Sequence, residues 1–156
     1  MKNLPTIKNK KLLEEALTHR SYLNEVKEKV PSNERLEFLG DSILSLVVSA
    51  HLFKNYPQFN EGKLTNLRSL LVNTKMLAEI SKECELGSKL RLSKGEEESN
   101  GRNNQSLLAD TFEAYVGALY LDQGIDEVNK FINSTVIPKA DEFIQTNMLK
   151  DPKSML

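Results

Sequence analysis

The chain reads as all-α. Apolar residues recur at helical spacing along most of its length, and no segment shows the strict alternation of a half-buried strand. Capping residues and glycines punctuate the periodic stretches where helices should start and stop. The pattern predicts about six to eight helices around two central ones that are apolar on nearly every side. A length of 156 residues suits one domain and is enough to bury a core.

Asn9 caps a first helix in KKLLEEALTH, whose apolar face is Leu12, Leu13, Ala16 and Leu17. LNEVKEKVP is polar and reads as loop. After Pro31, Ser32 or Asn33 opens the first central helix, which runs toward Phe53. Pro57 and Gly62 mark NYPQFNEG as a turn. Leu64, Leu67 and Leu71 give KLTNLRSLLV helical spacing. Asn73 or Thr74 then caps KMLAEISKECEL, with Gly87 as its left-handed stop. From Ser93 to Gln105 no apolar side chain occurs, which predicts a mobile exposed loop. SLLADTFEAYVGALYLD is the second central helix, ended by Gly124. The last helical stretch, IDEVNKFINSTVIPKADEFIQT, carries Pro138, where a break or kink is expected.

Composition narrows the function. Hydrophobic residues at 39% and charged ones at 28% fit an ordinary soluble globular domain. A single cysteine, Cys84, rules out an intramolecular disulfide and suits a reducing compartment. No apolar stretch reaches the roughly 18 residues of a membrane span, because Glu and Asp interrupt the best candidate. The N-terminal MKNLPTIKNKK lacks the apolar segment of a signal peptide, so a cytoplasmic location with no membrane is expected. With 21 basic and 22 acidic residues, net charge gives no signal for nucleic acid. One cysteine and two histidines, His19 and His51, make a thiolate- or imidazole-rich zinc site untenable. No phosphate-binding glycine loop of the NTPase or dinucleotide type occurs.

The unusual feature is acid inside apolar helices. Glu37 and Asp41 are four apart and share one face of the first central helix, with Glu34 a turn earlier. Asp110 and Glu113 are three apart on one face of the second. Gly40 and Gly117 keep those faces small, which would let the helices approach closely and four carboxylates converge. Such a group needs raised pKa values or a cation. An all-oxygen donor set suits a hard divalent ion, Mg²⁺ first and Mn²⁺ as a substitute. The matching chemistry is hydrolysis of a phosphodiester or pyrophosphate. Acidic residues on helices usually face water, however, and Gly-Asp-Ser can also close one helix and cap another. Spacing alone leaves both readings open.

NERLEFLGDS, Asn33 to Ser42, resembles the signature motif of the ribonuclease III family, matched without a gap. LTHRSY at Leu17–Tyr22, EGKLTNLRSLLVN at Glu61–Asn73 and LLADTFEAYVGALYLDQG at Leu107–Gly124 resemble its companion segments, in order. The resemblance implies a helical, Mg²⁺-dependent endonuclease domain over residues 1–150 that hydrolyses double-stranded RNA. It implies 5′-phosphate and 3′-hydroxyl ends with short 3′ overhangs, and a role in processing rRNA and mRNA precursors. By position, Glu37, Asp41, Asp110 and Glu113 would be the metal ligands. Asp41 and Glu113 would be catalytic, with Glu113 indispensable. Glu34 and Glu61 would be supporting acids. Phe38 would lie at a homodimer interface, giving two symmetry-related sites. Lys94 and Arg102 match a segment that contacts RNA outside the metal site, and Lys63 and Arg68 are further candidates for phosphates.

Asn100-Gly101 departs from the paired glycines of many members. DPKSML, residues 151–156, resembles the first turn of a double-stranded-RNA-binding domain, so a longer protein is expected. His51 is expected to have a structural or surface role, and His19 to belong to a packing segment. Two other readings stay in view: a Mg²⁺-dependent nucleoside triphosphate pyrophosphohydrolase, and a catalytically silent RNA-binding homologue.

Overall fold

The computed structural model describes residues 3–150, with side chains up to residue 147. The expected first residues of a second domain, 151–156, lie outside the described residues. Seven α-helices occur among those described: α1 (Lys10–Ala16), α2 (Glu34–Asn55), α3 (Glu61–Leu71), α4 (Thr74–Glu83), α5 (Lys94–Glu98), α6 (Gln105–Gln123) and α7 (Ile125–Lys150). Short 3₁₀ turns lie at Arg20–Asn24, Leu86–Lys89 and Gly101–Asn103. Among the described residues the one extended pairing is a parallel bridge between Thr18 and Arg91.

Helix α6 is the axis of the domain. Every residue from Thr111 to Leu119 is buried, including Glu113. Helices α2 and α4 flank it, and α1 and α7 complete the shell. The α2–α6 crossing leaves no room for a side chain at its centre. A Cβ on Gly40 would collide with the carbonyl oxygen of Glu113, and one on Gly117 with that of Leu36. The two glycines therefore set the distance between the helices that carry the acids.

Local chemistry fixes where α2 starts. Asn33 is buried and does not cap the helix with its side chain. Its Nδ2 donates to the Ala16 carbonyl (3.3 Å) and its backbone N–H to that of Thr18 (2.8 Å), tying the signature motif to the end of α1. At the other end, Asp141 of α7 takes hydrogen bonds from His51 Nε2 (2.8 Å) and the Tyr56 hydroxyl (2.7 Å). His51 is thus part of a structural clasp.

Several expectations need correction. Residues 93–105 form a built segment: Ser93 caps α5, and Arg102 donates to the carbonyls of Gly87 and Leu90 (both 2.9 Å) and pairs with Glu97 (2.8 Å). Polar ties replace the missing apolar contacts. Gly62 lies inside α3, because Asn60 Oδ1 caps that helix by accepting from Lys63 N–H (2.9 Å). Helix α4 ends at Glu83, and the left-handed residue is Glu85 (φ 58°). Gly87 is small for another reason: a Cβ there would strike the Arg102 carbonyl. Helix α7 continues through Pro138, so the expected break does not occur there. On length and composition alone α2 is apolar enough to cross a membrane, with mean hydropathy 1.5 over its best stretch. The expectation that no such stretch exists fails; 39% of that stretch is buried within the domain, and Phe38, Leu46 and Phe53 of the same helix are exposed.

Candidate metal centre

Close approach of α2 and α6 brings the acids together. Glu37 from α2 and Asp110 and Glu113 from α6 place carboxylate oxygens within 4.8 Å of one another. Asp41, a turn beyond Glu37, shares a hydrogen bond with Glu113. Glu113 is 9% exposed, and burial pushes its carboxyl up to about 9, with the Asp41 hydrogen bond and the other acids adding to the effect. Burial likewise raises Glu37 to about 7, assisted by the neighbouring charge of Asp110. Asp110 is raised by burial too, although its hydrogen bond with Glu37 and the charges of His19 and Arg20 oppose the shift.

Acids that hold their protons this firmly are acids a cation would stabilise in their charged form. The donors are hard oxygens with no imidazole or thiolate among them, so the residues present fit a divalent ion of the Mg²⁺ or Mn²⁺ kind. The sign of the pH dependence follows. A carboxyl whose folded pKa is raised contributes stability while it keeps its proton. That contribution is full below the unfolded value near 4.5 and is lost as pH rises through about 7 for Glu37 and about 9 for Glu113. In EDTA the melting temperature is expected to fall as pH is raised across this window, and Mg²⁺ is expected to offset the fall. Thermal melts with and without the ion check both; a metal-free melting temperature that climbs with pH would contradict the assignment.

The centre opens into a cavity of about 400 Å³. Glu34, Glu37 and Asp110 line it, as do His19, Arg20 and Asn104. Glu34 is therefore close to the group, whereas Glu61 begins α3, is exposed and does not line the cavity. Lys63 is half-buried on α3 and Lys94 is exposed at the start of α5. Arg102 turns its guanidinium back onto its own chain, and Arg68 Nη1 donates to Ser49 Oγ (3.0 Å). Sequence reasoning assigns His19 to packing and passes over Arg20, Asn104 and Glu96; all four line the cavity. Proximity in space alone puts them there, and the one signal in the sequence is that His19 and Arg20 fall within LTHRSY.

On the outer face of α2, Phe38 is 78% exposed, Leu46 61% and Phe53 75%. Phe38 also borders a cavity of about 640 Å³ shared with Leu12, Leu36, Leu39 and Leu121. Apolar residues this open form a stripe that nothing in the chain covers among the described residues.

Fold and site together define an all-helical domain built around a polycarboxylate centre at a helix crossing. A family model described as Ribonuclease-III-like matches residues 9–150. Ribonuclease 3 of Geobacillus kaustophilus is 47% identical over 152 residues, covering 97% of this chain and 61% of that protein. Ribonuclease 3 of Bacillus cytotoxicus is 49% identical over the same length, covering 97% and 62%. The nuclease domain of ribonuclease III from Campylobacter jejuni superposes with a TM-score of 0.74 at 41% identity, over 80% of this chain and 84% of that one. The Campylobacter domain shows structural flexibility in a region involved in dimer formation. The chain belongs to the ribonuclease III family. It spans about three fifths of the length of the curated relatives it matches.

Proposed function

We propose that this domain is a Mg²⁺-dependent endoribonuclease that hydrolyses phosphodiester bonds of double-stranded RNA, with Mn²⁺ able to substitute. One observation carries the reading: in a chain of this family, Glu37, Asp110 and Glu113 converge at a glycine-lined helix crossing with their protons held abnormally tightly. Glu37, Asp41, Asp110 and Glu113 hold the ion, and Asp41 orients Glu113 through their shared hydrogen bond. When bound, a divalent ion supplies positive charge and an activated water for attack on phosphorus. Glu34 adds negative charge at the cavity rim, and Glu61 is a more distant supporting acid. Exposed Lys94, together with Lys63, supplies phosphate contacts along a duplex read by shape and 2′-hydroxyls. Products carry 5′-phosphate and 3′-hydroxyl ends with short 3′ overhangs, which suits processing of RNA precursors in the cytoplasm.

The test uses an end-labelled perfect RNA duplex and a matched single strand at low salt, in Mg²⁺ and in EDTA. Cutting of the duplex alone, and only with Mg²⁺, is the expected result. Release of pyrophosphate from free nucleoside triphosphates with the duplex untouched would move the protein to a pyrophosphohydrolase. Tight duplex binding without cutting would make it a silent homologue.

The open stripe on α2 supports a homodimer in which Phe38 of each copy enters the apolar cavity of the other. An isologous contact of this kind repeats itself about a twofold axis. Phe38→Glu is expected to give a monomeric mass in light scattering at micromolar concentration where the parent gives a dimer. A parent that is itself monomeric there would end this reading.

A further inference from the structure

The cavity is lined both by acids, Glu34, Glu37, Glu96 and Asp110, and by donors, His19, Arg20 and Asn104. Of the donors, His19 is fixed with unusual definition. The Ser21 backbone N–H, which can only donate, points at His19 Nδ1 (3.1 Å). Ser21 Oγ lies 2.8 Å from the same nitrogen and accepts from the Ser93 N–H (2.9 Å), leaving its own proton for the ring. Nδ1 is therefore an acceptor, and the ring proton must reside on Nε2. Among the described residues Nε2 has no protein partner, while the side chain lines the cavity beside Arg20.

Building on the endoribonuclease reading, we propose that His19 is a phosphate-contact residue. Its Nε2–H donates to a non-bridging oxygen of an RNA strand lying in the cavity that His19 and Arg20 line together with the acids. The acids cannot face a polyanion unaided, and neither can they hold a phosphate from both sides. A neutral N–H donor in the same cavity engages phosphate oxygen without competing with the cation for the acids, and Arg20 adds the positive charge that draws the backbone in. Burial keeps the imidazole below its ordinary pKa, against the nearby charges of Glu96, Glu34 and Asp110, consistent with a neutral donor.

Two substitutions separate this role from packing, because His19 also caps the Arg20–Asn24 turn. His19→Asn keeps an oxygen for the Ser21 N–H but withdraws the donor from the cavity. His19→Gln extends an amide N–H to about the position of Nε2. Because a hydrogen bond to a charged group is lost, His19→Asn is expected to lower kcat/KM on duplex RNA by between about tenfold and a hundredfold. Its melting temperature should match the parent, and His19→Gln should recover part of the loss. In a Glu113→Gln background, fluorescence anisotropy of a labelled duplex should show weaker binding when His19→Asn is added. Parental cleavage by His19→Asn would overturn the assignment while leaving the nuclease reading in place. So would a loss accompanied by a lower melting temperature and not relieved by Gln. A parent that fails to cut duplex in Mg²⁺ would overturn both.

Discussion

Glu113→Gln is expected to leave the domain folded and to reduce Mg²⁺-dependent cleavage of duplex RNA by about a thousandfold or more. The two halves of that expectation have one cause. Glu113 is the most buried of the acids, and its carboxyl loses its proton only near pH 9 without a cation. At neutral pH the metal-free side chain is already a neutral carboxylic acid, and the amide of Gln matches it in shape. The hydrogen bond with Asp41 survives, with the amide as donor. What disappears is the ability to become an anion when an ion arrives. Melting curves in EDTA should therefore lie closest at or below about pH 4.5, with the variant increasingly the more stable as pH rises toward 9, because the unfolded parent sheds a proton that the folded parent keeps. Cleavage at the parental rate would show that the centre lies elsewhere.

The second large effect needs no chemistry at the acids. Gly40→Ala adds one methyl group at the point where α2 meets the backbone of α6. The obstacle is the main-chain carbonyl of Glu113, which no side-chain rotation can move aside. The helices must separate, which costs roughly 3 kcal/mol or more by comparison with other overpacked cores. At roughly 2–4 °C per kcal/mol for a domain of this size, the melting temperature should fall by about 10 °C. Cleavage should fall as well, since Glu37 and Glu113 sit on the two helices being forced apart. Gly62→Ala is the control. Its Cβ would meet only the Asn60 side chain at 3.6 Å, an ordinary contact, so melting should be unchanged. Equal melting temperatures for the two variants would refute the role given to Gly40.

The contrast between these glycines also marks how far the sequence can be read. Gly40 and Gly117 are legible because each lies beside or one turn from the acids of an otherwise apolar helix, where a small residue has an obvious use. Gly87 passes for a helix stop, since the carbonyl that excludes its side chain belongs to Arg102, across a loop. The same Arg102 explains why residues 93–105 mislead. A segment without apolar residues looks mobile, yet carbonyls of Gly87 and Leu90 offer it polar anchors that no local pattern reveals. The acids stand out because i, i+3 and i, i+4 spacing is local, and packing then joins the two pairs. His19 and Arg20 escape notice as cavity residues because only the bridge between Thr18 and Arg91 and the tie of Asn33 to α1 bring LTHRSY to the mouth of the site.

The α2–α6 crossing has a temporal consequence. Its acids come from the two halves of the chain, and each half alone offers only a pair of carboxylates on a largely apolar helix. Contacts so far apart in sequence close late, after local helices have formed and the intervening segment has been gathered in. During synthesis α2 leaves the ribosome well before α6, so the two pairs of acids stay apart until the second half of the chain is made. Under the function proposed above, competence would arrive only when α6 packs on α2, and an RNA held near an unfinished chain would be out of danger from it.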